Sequence, residues 1–492
     1  TKAGLPCSKR SRHSSSVIRF PASTFSLIVN RAGLVSNNAD IVQKYDRAAD
    51  SQVNRPKLKN PYLPYTNNKN QTLMGIKFRL TILSFFQYFV WGAWLITLAT
   101  YFFSNNLGTG VQLGAIFSTL ALSSLIMPAL VGIIADKWMN GEKLYGLLQI
   151  LYGLCLLYVP QVHDADRLYY IIFGAMACYM PTISLSNSVS YKILKDNHYD
   201  VVTVFPPIRV WGTIGFIAAM WITNLTGSKT NANQFLIGGF AALALGLYSF
   251  TLPKCPPQRS IAAGASLIEM LGLSAFKLLA KYKMALFFIF SMFLGAALQL
   301  TNMYGDTFLD DFKNVAAYGP DSFVVKYSTI IMSISQISET VFILTIPFFL
   351  KRFGIKNVML FSMLAWVLRF GLFAYGDPGS GLWMIILSCI VYGMAFDFFN
   401  ISGSLFIETN TSPSIRSSAQ GMFMMITNGV GAFMGSMISG FMIQNYYTGA
   451  DGLKDWHSIW LVFAIYALVV AVLFFFMFKH KHDPNQIGEI SH

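Results

Sequence analysis

Blocks of about twenty apolar residues recur along this chain of 492 residues, and they constrain its fold more than any other feature. The core of a bilayer holds no water, so every backbone N–H and C=O group must find its hydrogen-bond partner inside the protein, as it does in a helix. Only 12% of the residues are charged and 54% are hydrophobic, whereas a soluble domain of this length carries more charge. The sequence therefore predicts an all-α polytopic membrane protein.

Twelve apolar blocks predict twelve transmembrane helices. They run over roughly 80–103, 112–135, 144–162, 168–193, 201–224, 234–252, 285–304, 327–350, 357–375, 381–407, 418–444 and 457–478. A polar cytoplasmic linker at 254–284 separates an N-terminal six-helix bundle at 74–253 from a C-terminal six-helix bundle at 285–482, and a tail follows at 483–492. We interpret the two bundles as pseudo-repeats of one six-helix unit.

Two local patterns relate this plan to the major facilitator superfamily. The run PIR at 207–209 in one half matches IR at 415–416 in the other, as expected of a duplicated unit. Between the second and third blocks, Gly132, Asp136 and Lys137 match part of the motif GxxxD(R/K)xG, which predicts a gating role for these three residues. The alternative for this second pattern is an ordinary basic turn.

The distribution of basic residues predicts the orientation in the membrane. Fifteen lysines and arginines lie in connections and ends on the side of Met74, and five lie on the other side: Arg167, Lys229, Lys313, Lys326 and Lys454. Because basic loops stay in the cytoplasm, this difference predicts that both termini are cytoplasmic.

The segment 1–73 has a composition of its own, with 12 of the 36 lysines and arginines and 3 of the 22 acids. It fits a disordered basic arm, a transit-like presequence, or an upstream region translated in error, and we favour the last because Met74 leads abruptly into the first block. Since this segment supplies much of the net charge of +14, that charge does not indicate nucleic-acid binding. The five cysteines show no CxxC spacing, so we expect no disulfide framework or zinc site.

One carboxylate, Asp397, lies in the middle of an apolar block, and Tyr392, Phe396 and Asn400 share its helical sector. An acid at the bilayer centre costs about 3 kcal/mol, so it usually faces a wet cavity or a partner. A helix that lines a polar pathway would use such a face, whereas a helix facing lipid would gain nothing from it.

A second acid, Glu339, lies in another block and shares a helical face with Gln336. Two carboxylates deep in separate spans favour a proton-coupled carrier, because burial and changing neighbours let a carboxyl group take up and release a proton. The alternative is a static ion pair, for instance with Arg369 or Arg209.

Two further polar faces are candidates for a binding site. Gln299 and Asn302 are three residues apart, and their amides both donate and accept hydrogen bonds, which suits a neutral ligand rich in hydroxyl groups and ring nitrogens. Helix-to-helix hydrogen bonding is an equal alternative. Arg209, Thr213 and Phe216 form another face, for which Arg209 as an anchor at the cytoplasmic end is the alternative.

No histidine lies beside an acid in the middle of a block, and no hydrolase or nucleotide-binding motif occurs in a supporting context. The sequence therefore disfavours an embedded hydrolase and an ATP-driven pump, and it predicts no catalytic or metal-binding residues.

Five long runs are distinctive: FFQYFVWGAWLITL at 85–98, FPPIRVWGTIGF at 205–216, IFSMFLGAALQLTNMYGDTFL at 289–309, IIMSISQISETVFILTIPFFL at 330–350 and VYGMAFDFFNISGS at 391–404. These runs resemble the nucleoside:proton symporters of the NupG type within the major facilitator superfamily. The resemblance extends from Met74 to about His482 and leaves 1–73 unmatched.

This resemblance implies a carrier that imports nucleosides with protons, has a pocket between its two halves and needs no cofactor beyond the proton. The implied substrate-binding residues are Arg209, Thr213, Phe216, Gln299, Asn302, Gln336, Glu339, Tyr392 and Phe396. The amides and Glu339 would bind ribose and base, and the rings would stack on the base. Asp397 and Glu339 would couple the proton.

The implied location is the bacterial cytoplasmic membrane, with a nucleoside, a proton and the lipid bilayer as partners. We expect a monomer and no nucleic acid. A sugar or drug carrier of the same fold is the alternative, and a membrane sensor that binds without transporting is a further one.

Overall fold

The computed structural model describes residues 69–257 and 273–480, and the regular structure in this part of the chain is helical apart from one isolated bridge between Thr448 and Lys454. The first seven helices are α1 (Lys69–Gly92), α2 (Leu98–Ser104), α3 (Gly110–Lys137), α4 (Gly141–Tyr158), α5 (Ala165–Asp196), α6 (Val201–Leu225) and α7 (Asn233–Ser249). The next seven are α8 (Tyr282–Asp311), α9 (Phe323–Lys326), α10 (Ser328–Tyr375), α11 (Leu382–Asn410), α12 (Pro413–Met424), α13 (Ala432–Tyr446) and α14 (Trp456–Met477). A π-helical turn at Met425–Gly431 joins α12 to α13.

Within the described residues, nine helices are long and apolar enough to cross a membrane. They are α3, α4, α5, α6, α8, α10, α11, the continuous stretch that ends with α13, and α14. The all-helical membrane architecture is therefore confirmed, and the arrangement of twelve spans in two repeats stays a prediction.

Three of the predicted blocks explain why the structure has nine long apolar helices among the described residues, whereas the sequence predicts twelve. Helix α7 has 17 residues and is shorter than the other candidates. The blocks predicted at 327–350 and 357–375 are the two parts of α10, which is broken at Gly354. The backbone of Gly354 has φ 76° and ψ 167°, a conformation that only glycine adopts readily.

The first block also differs from its prediction. Helix α1 begins at Lys69, inside the segment 1–73, because each residue added to an existing helix gains a backbone hydrogen bond. The rest of that segment lies outside the described residues. A turn at 93–97 then divides the predicted block. In this turn the backbone N–H of Trp94 donates to the carbonyl of Trp91, three residues earlier.

The helices pack as two sets that meet mainly along two seams. In the N-terminal set α1 packs on α6, α3 on α5 and α4 on α7, and in the C-terminal set α10 packs on α11 and α14. The sets meet where α3 contacts α13 and where α6 contacts α10. The second seam is important for function, because it brings the polar faces of α6 and α10 together.

Glycine allows close helix packing inside the N-terminal set. A Cβ atom on Gly153 of α4 would lie 2.9 Å from the backbone oxygen of Gly239 and 3.1 Å from the side chain of Leu243, both on α7. In a bilayer, where apolar surface gains little by leaving lipid, such close backbone contact is a main source of helix association.

We expect Gly153→Ala to lower the free energy of unfolding by about 1–3 kcal/mol, because α4 and α7 must move apart to admit the methyl group. Gly371→Ala is the matched control, since a Cβ there meets nothing within 4 Å and alanine favours the helix. Thermal unfolding in detergent measures both variants. Equal melting midpoints for the two would contradict this account of the packing.

Candidate substrate cavity

A cavity of about 220 Å³ lies between the two sets of helices. The N-terminal set contributes Tyr88, Trp91, Leu95, Arg209, Thr213 and Phe216, and the C-terminal set contributes Leu298, Asn302, Gln336, Glu339, Tyr392 and Phe396. Eight of the residues that the sequence proposed for a binding site therefore line one space, although they come from four helices.

Helix α6 presents Arg209, Thr213 and Phe216 to the cavity, as their spacing predicts. The guanidinium carbon of Arg209 lies 3.9 Å from the centre of the Tyr88 ring on α1. This contact spreads the positive charge over the aromatic face and holds it at the cavity.

Glu339 of α10 faces the same cavity and interacts electrostatically with Arg209. Among the described residues, no cation forms an ion pair with Glu339 within 4 Å. The cavity is therefore lined by one guanidinium group and one carboxyl group, contributed by different sets of helices.

Aromatic rings and amides complete the C-terminal wall. The ring planes of Tyr392 and Phe396 on α11 are 11° apart, with centres separated by 6.4 Å, and both rings line the cavity. Asn302 of α8 and Gln336 of α10 also line it. These side chains combine flat apolar surface with groups that donate and accept hydrogen bonds.

Two proposed site residues do not line the cavity. Gln299 is 6% exposed and lies one helical turn before Asn302. Asp397 is 4% exposed, and its Oδ2 atom has no hydrogen-bond partner among the described residues. Asp397 interacts electrostatically with Glu339, so the two acids that the sequence singled out do influence each other.

The static ion pair considered from the sequence is not formed in the described part of the chain. Arg369 instead donates to the hydroxyl groups of Thr301 and Ser335 and to the carbonyl of Ser388. Arg209 packs on Tyr88. Neither arginine forms an ion pair with Asp397 or Glu339 among these residues.

The sequence interpretation missed four lining residues: Tyr88, Trp91, Leu95 and Leu298. The first three are spaced i, i+3 and i+7, which places them on one face of a helix, so a signal was present. It was weak, because aromatic and aliphatic residues are equally common on faces that contact lipid.

Hydrogen bonds join the two sets of helices at one end of the molecule. Thr100 donates to the carboxylate of Asp306 over 2.6 Å, and Lys229 forms an ion pair with Asp310 at 2.7 Å. Lys229 also donates to the carbonyl of Val325 and to the Ser328 hydroxyl. We call these contacts the polar seal, and they hold the two sets closed at this end.

The candidate gating residues lie at the opposite end of α3 from its contact with the C-terminal set. Helix α3 begins at Gly110, whose N–H donates to the side chain of Gln444, and it ends at Lys137. Asp136 is exposed and Lys137 is half-buried, and a Cβ on Gly132 would meet nothing within 4 Å. The gating role of Gly132, Asp136 and Lys137 stays a prediction.

The described residues contain no group of three or more His, Cys, Asp or Glu side chains that could hold a metal ion. The cavity offers amides for hydrogen bonding, aromatic rings for stacking and the carboxyl group of Glu339, which can bind a proton.

Comparison with known proteins identifies the family. The family model described as Nucleoside H+ symporter matches residues 74–483. The chain belongs to this family. It is 51% identical to the xanthosine permease of Escherichia coli K12 over 415 residues, which are 84% of this chain and 98% of the permease. It is 49% identical to the nucleoside permease NupG of the same organism over 422 residues, 85% of this chain and all of NupG.

Solved structures of the nucleoside transporter NupG share this fold. The structure of one NupG mutant has a TM-score of 0.80 and 49% identity, and it covers 82% of this chain and the whole of that one. The relatives are permeases, so this member of the symporter family is a transporter and not an enzyme.

We expect the polar seal to contribute to the stability of this symporter. Lys229 and Asp310 have side chains only 12% and 4% exposed, and Lys229→Met should lower the free energy of unfolding by about 2 kcal/mol. This loss of stability is smaller than the loss expected if the Asp310 carboxylate had no cation left, because Asp310 still pairs with Lys313 at 2.6 Å.

Lys192→Met is the matched control, since it removes an exposed pair with Asp196 that contributes less than about 1 kcal/mol. Thermal unfolding in detergent compares the two. A Lys229 variant as stable as the Lys192 variant would show that the seal does not hold the two sets together.

Proposed function

We propose that this symporter imports nucleosides together with protons across the bacterial cytoplasmic membrane by alternating access, with the nucleoside bound in the cavity between the two sets of helices. The observation that carries the proposal is the cavity itself. It combines Arg209 of one set with Glu339 of the other, between amides and aromatic rings, in a chain of the nucleoside H+ symporter family.

The architecture proposed with this function has twelve crossings in two six-helix repeats. Three crossings are added to the nine long apolar helices. Helices α1 and α2 together supply one, α7 supplies another, and the division of α10 into two parts supplies the third. The excess of basic residues on the side of Met74 supports cytoplasmic termini. We propose that the monomer is the transporting unit, because both sets of helices that would move against each other belong to the same chain.

The lining matches the chemistry of a nucleoside. A base has two flat faces, which suit the rings of Phe216, Tyr392 and Phe396, and edges that both donate and accept, which suit Asn302 and Gln336. The proposal extends to Gln299, which lies one turn before Asn302 and has an Nε2 atom without a hydrogen-bond partner among the described residues. The volume of about 220 Å³ is just below the ~300 Å³ of small-molecule pockets, so the walls would move slightly on binding.

The acids Glu339 and Asp397 are the proposed proton-coupling residues. They interact electrostatically between packed helices, where Asp397 is only 4% exposed, so two negative charges there would repel each other strongly. Protonation of either one relieves this repulsion. Arg209 belongs to the other set of helices, so a relative movement of the sets changes the charge that Glu339 faces. Proton binding and conformation are thereby linked.

The polar seal supports the direction of access. With cytoplasmic termini, the end that holds Lys229 and Asp310 is the outer end, and this conformation is closed to the outside. Import would then require the seal to open and the opposite end, with Gly132, Asp136 and Lys137, to close.

We expect cells that lack their own nucleoside carriers to take up labelled uridine when they make this protein, and a protonophore to abolish the uptake. Glu339→Gln and Asp397→Asn should each abolish the accumulation of uridine against its concentration gradient, because an amide does not take up a proton near neutral pH. Asp321→Asn, in an exposed loop, is the control. Proton-driven accumulation retained by both amide variants would contradict the proton role of the two acids.

We expect Asn302→Ala to raise the apparent KM for uridine uptake about tenfold or more. Without the amide, a polar group of the bound ligand would be buried without a hydrogen-bond partner. Asn445→Ala is the matched control, because Asn445 lies exposed on another helix and donates to the carbonyl of Phe441 on that same helix. Competition by unlabelled nucleosides and sugars identifies the substrate class. Inhibition by sugars alone would favour the sugar carrier, and binding without uptake would favour the sensor.

A further inference from the structure

A fully buried arginine lies behind the C-terminal wall of the cavity. Arg369, on the second part of α10, is 0% exposed. It is not among the residues that line the cavity, and its Nη2 atom has no acceptor among the described residues. An arginine stays charged in proteins, and burying its charge away from a carboxylate costs several kcal/mol unless other groups compensate.

The partners of Arg369 are placed next to the cavity residues. Its Nε atom donates to Thr301 over 3.3 Å, and Thr301 directly precedes Asn302. Its Nη1 atom donates over 3.3 Å to Ser335, which directly precedes Gln336. One side chain therefore reaches the backbone segments that carry both amides of the wall.

The same guanidinium group also reaches α11. Nη1 donates to the carbonyl of Ser388 over 2.8 Å, and the Ser388 hydroxyl donates back to the carbonyl of Arg369 over 2.9 Å. Ser388 lies one helical turn before Tyr392, and the guanidinium carbon is 4.5 Å from the centre of the Tyr392 ring. The positive charge is thus stabilised partly by the ring that lines the cavity.

We propose that Arg369 is a positioning residue for substrate binding, which fixes Asn302, Gln336 and Tyr392 in one wall by joining α8, α10 and α11 behind it. This proposal rests on the proposed function, because it assumes that the wall contacts the nucleoside. A lysine could not replace the arginine fully, since a compact ammonium group cannot stack on a ring and bridge three helices at once.

The test measures the dissociation constant for uridine by calorimetry on the purified chain, together with the melting midpoint. Arg369→Met should raise the dissociation constant about tenfold, and Arg369→Lys should raise it less. A residue with a structural role alone would lower the melting midpoint and the folded fraction, and it would leave the affinity of the folded fraction unchanged. Arg352→Met, exposed on the same helix, is the control.

A double-mutant cycle with Tyr392→Leu tests whether Arg369 acts through the wall. With the ring removed, Arg369→Met should change the affinity by only about two- to threefold, because part of its effect is already lost. Equal effects with and without the ring, or an unchanged affinity in Arg369→Met, would overturn the proposal.

If Arg369→Met does not fold, a second variant, Thr301→Val, tests the same proposal. It removes only the acceptor for Nε, and it should raise the dissociation constant about two- to fivefold. An unchanged affinity would count against the positioning role. If wild-type chain binds uridine and Tyr392→Leu has no effect on its affinity, the assignment of the wall to the substrate fails instead.

Discussion

The free energy of moving charge out of water determines how this molecule is built. Inside the apolar helices each charge requires a polar partner, an aromatic face or a hydrated space. Arg209 has the ring of Tyr88, Glu339 has the cavity, and Asp306 accepts hydroxyl hydrogen bonds from Thr100 and Thr329. Several charged groups of the spans therefore lie at the cavity, in the polar seal at one end and in the cluster around Arg369 behind the cavity wall.

These three places differ in which helices they join, and this difference decides what each can do. The polar seal joins the N-terminal set to the C-terminal set through Thr100 with Asp306 and Lys229 with Asp310. Such contacts must break when the sets move apart at that end. The cluster around Arg369 joins α8, α10 and α11 within one set, so it persists through such a movement. In the proposed transport cycle the seal would therefore break and form again, whereas the cluster would keep the wall in place.

Local pattern in the sequence predicted the helices and most of the cavity. An amide, an acid or an arginine stands out in an apolar block, and helical spacing then selects its face, as it did for Arg209, Thr213 and Phe216. Tyr88 and Trp91 were not predicted as lining residues, because the sequence does not distinguish an aromatic ring that faces a cavity from one that faces lipid. Helical phase also placed Asp397 with Tyr392 and Phe396, although only the two rings line the cavity. A sector of about 140° contains both lining and buried positions.

Contacts between distant segments left no local signal. Thr100 and Asp306 are separated by 206 residues, and neither is unusual near the end of a span. Arg369 was considered only as a partner for an acid, because charge in a membrane suggests a salt bridge first. The structure gives it carbonyl, hydroxyl and ring partners instead. For a wall that must keep its shape while protons come and go, this arrangement has a physical advantage. A carboxylate partner would change its attraction for the arginine on protonation, whereas hydroxyl groups, a carbonyl and an aromatic ring hold the arginine equally well in either protonation state of the cavity.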